Sequence, residues 1–188
     1  DDYWDKWPLL LDMFDRCKQW EGKSRPGAWP DCDMLPLGRI GIRNVDGGAG
    51  DRRTRFTRDE QLTMMTLWTI FRSPLMFGGE LRDNDEWTLS LLTNRDVLRM
   101  HRESFNARQV YREGNRIVWA AEGPEGERYA ALFNVGEETE RVSVALGDIG
   151  LTGAVHAKEL WTGKQTGVRT DALAADIPPH GAALFRLE

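Results

Sequence analysis

The sequence is poor in the residues that build ligand cages. Its 188 residues include two cysteines and three histidines. Two cysteines, Cys17 and Cys32, are too few for a disulfide framework. They leave either one bridge or two free thiols, and two buried free thiols are the expectation. His101, His156 and His180 lie far apart and show none of the short spacings of metal ligands. Basic residues are not in excess: 25 Lys and Arg stand against 30 Asp and Glu, a net charge of -5. That balance argues against nucleic acid and against an anionic membrane surface, both of which want a basic face. No apolar run is long enough to span a bilayer. Glycines gather at 47, 48 and 50, in a polar loop from Asn44 to Arg55. No Lys-Ser/Thr follows them and no dinucleotide spacing is present, so a solvated loop is expected, made locally basic by Arg52, Arg53, Arg55 and Arg58. Nothing in the sequence asks for a metal or a cofactor.

An initiating methionine and a signal-like segment are also missing. The chain opens on Asp1-Asp2-Tyr3-Trp4, already in structured-looking sequence, so a natural start further upstream is expected. The compartment is then unreadable, with cytoplasmic and secreted both open.

What is present is more telling. Eight tryptophans favour either a well-packed core or a carbohydrate-stacking surface. From Tyr3 to Trp20 apolar residues recur at 3, 4, 7, 10, 11, 14 and 17, the spacing of a helix with one buried face. Pro8 falls in the first turn, where its missing N–H does no harm, and Gly22 and Pro26 stop the helix. Thr57-Arg58-Asp59-Glu60 is a capping box opening a strongly apolar helix that Pro74 ends. Leu75-Met76-Phe77, closed by Gly78-Gly79, reads as a buried strand of a parallel sheet. Helical pieces follow from Asp85 to Thr93 and from Arg95 to Arg102. Strands alternating with helices imply parallel βα units.

Near Glu103–Asn106 the pattern changes. Short runs at Arg108–Tyr111, Arg116–Ala121, Arg128–Val135, Glu140–Leu146, Val155–Trp161 and Ala183–Leu187 alternate with turn residues. That spacing suggests an antiparallel sandwich. The expected domains are therefore residues 1–104, α/β, and residues 105–188, all-β.

Between the first two helices stands Gly27-Ala28-Trp29-Pro30-Asp31-Cys32-Asp33-Met34-Leu35-Pro36-Leu37-Gly38. If the segment is extended, Asp31 and Asp33 share a face and Cys32 points away. Taken alone, an acidic turn with each Asp bonded to nearby backbone N–H groups is favoured. In its setting, Gly-x-Trp-x-Asp-x-Asp-Met-Leu at 27–35 resembles the late-barrel motif of α-galactosidase-like glycoside hydrolases, family 27, in the same clan as family 36. Thr66-Leu67-Trp68, Ser73-Pro74-Leu75-Met76-Phe77-Gly78-Gly79-Glu80-Leu81-Arg82 and Leu92-Thr93-Asn94-Arg95-Asp96-Val97 are similar to family segments in the same order. The family's Asn-Asp-Pro-Asp is Pro30-Asp31-Cys32-Asp33 here, which suggests a divergent, bacterial-type branch.

The resemblance implies the C-terminal portion of a (β/α)8 barrel followed by an antiparallel β-sandwich. It implies a retaining glycosidase, with two carboxyl groups at roughly 5 Å, acting on a galactose-containing oligosaccharide or glycoside. By the match of the opening segment, Asp1 is the acid/base candidate and Asp2 the reserve. Asp33 matches a carboxylate lining the sugar pocket, Met34 is an apolar wall beside it, and Trp29 is a stacking candidate for which a buried packing role is favoured. Asp31 is expected to bond backbone. No segment corresponds to the strand carrying the family's nucleophile, so the chain alone is expected to be inactive. A homo-oligomer is left open. Two rivals remain: a non-catalytic carbohydrate-binding or structural sandwich using Trp119 and Trp161, and a clan relative acting on α-N-acetylgalactosaminides or β-L-arabinopyranosides.

Overall fold

The structure, a computed structural model, describes residues 3–42 and 50–188. Helix α1, Trp7–Gln19, carries Pro8 in its first turn and buries Leu10, Met13, Phe14 and Cys17. That is the i, i+3, i+4, i+7 stripe of an amphipathic helix. It begins later than its apolar pattern suggests, because Tyr3 and Asp5 are committed to contacts elsewhere in the fold. Helix α2, Arg58–Phe71, opens on the expected capping box and ends at Arg72, which has a left-handed φ of 66°. Helix α3, Glu86–Leu92, is capped by Asp85. Helix α4, Arg95–Glu103, is capped by Asn94, whose side chain accepts from the N–H groups of Asp96 and Val97.

The two segments flanking α2 run parallel. The Leu35 N–H donates to Met76 O at 2.7 Å, the Gly78 N–H to Leu35 O at 2.9 Å, and the Glu80 N–H to Arg39 O at 2.8 Å. Leu75–Phe77 is therefore a parallel segment, as expected, but it is not buried: Met76 is 47% exposed. Two short strands, β1 (Arg39–Ile40) and β2 (Arg52–Arg53), pair antiparallel. The tip glycines Gly47 and Gly48 of the polar loop lie outside the described residues. Its described part, from Gly50, is more than a solvated surface. Arg52 reaches 47 residues back to Asp5, whose carboxylate is fully buried. Arg52 Nη2 donates to Asp5 Oδ1 at 2.8 Å and the Arg55 N–H to Oδ2 at 2.6 Å. The sequence carried no local sign of this clamp.

From β3 (Phe105–Glu113) the chain is almost entirely strand. A six-stranded antiparallel sheet joins β3, β4 (Arg116–Glu122), β5 (Arg128–Asn134), β10 (Ala182–Leu187), β7 (Val155–Glu159) and β8 (Gln165–Arg169), in that order. A ribbon of β6 (Glu140–Ala145) and β9 (Ala172–Ile177) forms the second sheet. The sequence pattern did not show β8, which is mostly exposed, or β9, whose large apolar side chains are only Leu173 and Ile177. Alternate residues of the large sheet face opposite ways. Val118, Ala120, Ala130 and Leu132 meet Val142, Val144, Leu173 and Ile177 of the ribbon. Ile117, Trp119, Ala131, Phe133 and Leu184 join the helices in one continuous core.

This second face settles the tryptophans of the sandwich. Trp119 is fully buried, edge-on to Phe71 with ring centroids 5.9 Å apart. Trp161 docks onto α2, donating Nε1–H to Thr66 Oγ1 at 2.9 Å. Neither is an exposed platform, so the rival built on a sugar-stacking sandwich loses its residues. Two further links tie the fold together, the first between α2 and α4 and the second between the helices and the turn before β10. The Arg72 guanidinium donates to the carbonyls of His101, Arg102 and Ser104 at the end of α4. His180 stacks on Trp7 at 3.8 Å and faces Glu60 through Nδ1 at 3.0 Å, while its carbonyl accepts from Thr63 Oγ1.

Burial alone would raise the Asp5 carboxyl, but its hydrogen bonds from Arg52 and the Arg55 N–H outweigh burial and hold it below the usual carboxylate range. A depressed folded-state pKa contributes stability above the unfolded value and loses it as pH falls through the folded value. Arg52→Met strands that buried carboxylate. It is expected to lower unfolding free energy by about 3 kcal/mol at pH 7. The deficit should shrink at acid pH, as the carboxyl takes up a proton first in the unfolded chain and then, at lower pH, in the folded protein. Urea unfolding of both proteins at pH 7 and pH 3 measures this; an equal deficit at both values contradicts it.

Candidate functional site

The site is built on the segment entering the first of the two parallel strands. Asp33 has φ 74°, a left-handed conformation that non-glycine residues adopt rarely. Asp31 and Asp33 therefore do not project from one face of an extended strand; the acidic-turn alternative is the one formed. The Asp33 N–H donates to Asp31 Oδ1 at 2.8 Å and the Met34 N–H to Asp33 Oδ1 at 2.6 Å. The turn also reaches distant groups. The Tyr3 N–H donates to Asp33 Oδ2 at 2.8 Å, and Trp68 Nε1–H donates to Asp33 O at 3.0 Å. Every backbone polar group of Asp33 and both carboxylate oxygens are thus engaged.

Asp1 and Asp2 lie outside the described residues. Tyr3, which follows them in the chain, is buried with its ring 5.0 Å from Trp68 and 6.3 Å from Phe56. Its hydroxyl has no partner among the described residues. Burial, and after it the neighbouring Cys32, Asp5, Glu60 and Asp33, push the phenol well above its ordinary pKa, so it stays neutral. Met34 follows Asp33 and packs against Gly78. A Cβ at Gly78 would lie 2.6 Å from Met34 Sδ, and one at Gly79 would lie 2.2 Å from Leu37 O. Both glycines therefore permit the close approach of the two parallel segments.

Trp29 is placed apart. It is 41% exposed, with the Arg72 guanidinium 5.6 Å above its ring. It lines a cavity of about 480 Å³ with Arg72 and Phe105. The expected buried packing role is thus only half met, and the structure does not bring Trp29 together with Asp33 and Met34. Asp33 borders a different cavity of about 470 Å³, between α1 and the 30–33 segment, whose wall includes Asp31, Cys17 and Cys32. The two cysteines are free and buried, with sulfurs 3.6 Å apart, as the sequence suggested. Burial, then the Cys32 contact, pushes the Cys17 thiol up. Among the described residues no three His, Cys, Asp or Glu side chains gather as a metal site, and no helix is long and apolar enough to cross a membrane.

Sequence reasoning missed the groups that hold Asp33. Trp68 lies in the strongly apolar helix and is fully buried. The available signal was chemical: a buried indole N–H in an apolar helix needs an acceptor. The Tyr3 backbone donor, 30 residues from Asp33, left no signal at all.

Comparison with known proteins agrees with this architecture. Residues 1–103 match the family model described as alpha galactosidase A. Residues 113–187 match the alpha galactosidase C-terminal beta sandwich domain. The chain belongs to the alpha-galactosidase family. Among relatives, alpha-galactosidase 2 of Arabidopsis thaliana is 29% identical over 192 residues, covering 99% of this chain and 44% of that protein. The solved GH27 β-L-arabinopyranosidase of Geobacillus stearothermophilus is 55% identical with a TM-score of 0.97, covering 100% of this chain and 43% of that one. A Bacillus halodurans structure provisionally named an alpha-N-acetylgalactosaminidase is 49% identical with a TM-score of 0.94, covering 100% and 46%. The chain thus spans less than half the length of these relatives. Its fold is the expected one, a partial (β/α)8 barrel followed by an antiparallel β-sandwich.

The glycine pair gives a direct check. At Gly79 an added methyl meets a backbone carbonyl that cannot yield, whereas at Gly78 the nearest atom is the movable end of Met34. Gly79→Ala is expected to destabilise by about 3 kcal/mol, and Gly78→Ala by about 1 kcal/mol with Met34 displaced. Thermal unfolding of the two variants ranks them; Gly78→Ala proving the worse would contradict the geometry.

Proposed function

We propose that the protein is a retaining glycoside hydrolase acting on terminal pyranosides of galactose shape. In this proposal the chain supplies Asp33 and Met34 to the sugar pocket and Asp1, with Asp2 in reserve, to the acid/base position. The observation that carries it is the Asp33 carboxylate, fixed between the N–H groups of Met34 and Tyr3. A carboxylate accepts about four hydrogen bonds in all. With one backbone donor on each oxygen, both oxygens retain capacity, so two neighbouring sugar hydroxyls can be gripped at once. Their angle to the site is set by the turn rather than by side-chain rotation. Met34 offers an apolar surface for the C–H face of a ring.

Such a site holds the sugar while two carboxyl groups at roughly 5 Å perform the chemistry. One attacks the anomeric carbon and forms a glycosyl-enzyme. The other protonates the departing oxygen and then takes a proton from water. The acid/base must carry its proton near neutral pH, and the negative nucleophile beside it favours that. Asp1 is the chain's candidate for that role. The nucleophile comes from protein outside these 188 residues, so the isolated chain is expected to show no turnover.

The relatives bear names for three sugars: galactose, L-arabinopyranose and N-acetylgalactosamine. β-L-Arabinopyranose has the ring hydroxyl arrangement of α-D-galactopyranose without the exocyclic CH₂OH. A pocket built around ring hydroxyls therefore suits both, and the choice lies in groups around the exocyclic carbon.

The test is a panel of α-galactoside, β-L-arabinopyranoside and α-N-acetylgalactosaminide on the protein at its natural length. Hydrolysis of at least one with retained anomeric configuration is expected. Asp33→Asn should lower kcat/KM by about 10- to 100-fold, and Asp1→Asn by roughly 100-fold or more. Inertness towards all three sugars, or an inverted product, would sink the proposal.

A further inference from the structure

We infer that Trp68 and Asp31 are positioning residues for Asp33, so that helix α2 sets sugar affinity through an indole that never meets the sugar. The inference rests on Asp33 being a sugar ligand, as proposed above. At φ 74° Asp33 occupies a region that L-residues keep only when their surroundings over-determine it. Two side chains grip its backbone. Asp31 Oδ1 accepts from its N–H, and Trp68 Nε1–H donates to its carbonyl. The remaining two bonds are made to its carboxylate and cannot by themselves fix the peptide planes. Released from Asp31 and Trp68, the turn relaxes towards the ordinary extended basin, and the carboxylate turns with it.

Trp68 suits this task because it cannot move. It is fully buried in α2, and the Tyr3 ring leans on it at 5.0 Å. Tyr3 in turn gives its N–H to the Asp33 carboxylate. One indole thereby supports both ends of Asp33: the carbonyl directly, and the carboxylate through Tyr3. Asp31 is the opposite kind of support, an exposed side chain acting over two residues. Its contribution needs only an acceptor oxygen, which an asparagine also has.

The experiment compares kcat and KM for Trp68→Phe, Asp31→Ala, Asp31→Asn, Asp33→Asn and the Trp68→Phe/Asp33→Asn double variant, in the natural-length protein with its preferred glycoside. Trp68→Phe keeps a ring and loses the N–H. It should raise KM by roughly tenfold with little change in kcat, the pattern of lost ground-state binding. Asp31→Ala should do the same and Asp31→Asn should restore affinity. The double variant should be no worse than Asp33→Asn alone, since residues acting through one another are not additive. Multiplying losses in the double variant, or equal KM for Asp31→Ala and Asp31→Asn, overturns the positioning role. If Trp68→Phe does not fold, the Asp31 pair decides alone. A wild-type KM in Asp33→Asn would instead remove the sugar-ligand assignment on which the inference stands.

Discussion

A left-handed aspartate is the constraint around which the first half of the molecule is arranged. Asp33 bends the chain as it enters the first parallel strand, and four hydrogen bonds from three separate parts of the sequence keep it bent. Local chemistry supplies two of these bonds, since Asp-x-Asp sequences readily form such turns. The other two come from Tyr3 and Trp68 and exist only in the folded state. Their arrival decides more than the angle of one carboxylate. Trp68 must lie on the face of α2 turned to the strands, and Tyr3 must precede the first turn of α1 instead of joining it. The late start of α1 and the burial of Trp68 in α2 thus have one origin.

The six-stranded sheet plays the corresponding part in the second half. A sandwich on its own keeps one face of each sheet for solvent. Here the central strands β4, β5 and β10 are dry on both faces, one against the β6–β9 ribbon and the other against the helices. Trp119 and Phe133 on one side and Val118 and Leu132 on the other are the two halves of that arrangement. The sheet behaves as a shared wall: the core of the helical part takes in one of its faces, and a second core fills the space between its other face and the ribbon.

Legibility followed sequence distance. The capping box, the Pro8 helix start, the closing of α2 before Pro74 and six of the eight strands from β3 to β10 were readable from neighbours. So was the family, because its motifs are short and contiguous. The parallel pairing of Leu35 with Met76 and Gly78 was readable as a type, since Gly78-Gly79 allow close approach, but not as a partnership. β8 and β9 escaped because they are half-exposed strands without a strong apolar rhythm. The Asp5–Arg52 clamp and the Tyr3–Asp33 bond escaped for a plainer reason: each joins residues 30 or more apart, and nothing near them in sequence marks a buried ion pair or a committed backbone N–H. At the candidate site the acidic turn was legible in Asp31-Cys32-Asp33, whereas the left-handed φ of Asp33 and its bonds to Tyr3 and Trp68 were not. Trp29 shows the converse, a motif residue next to the turn in sequence that lines a different cavity.

The contacts of His180 bear on the order in which the molecule can be completed. Glu60 closes the first turn of α2 with one oxygen and meets His180 with the other, across 120 residues of chain. Thr63 on the next turn waits for the same residue. During synthesis the helix therefore emerges long before the turn that finishes it. Contacts of such separation are slow to form, since the whole intervening chain must be gathered first. The helical half is left as an unfinished surface until the last strand, β10, slots between β5 and β7. A turn more than a hundred residues downstream thus closes a helix that was made long before it.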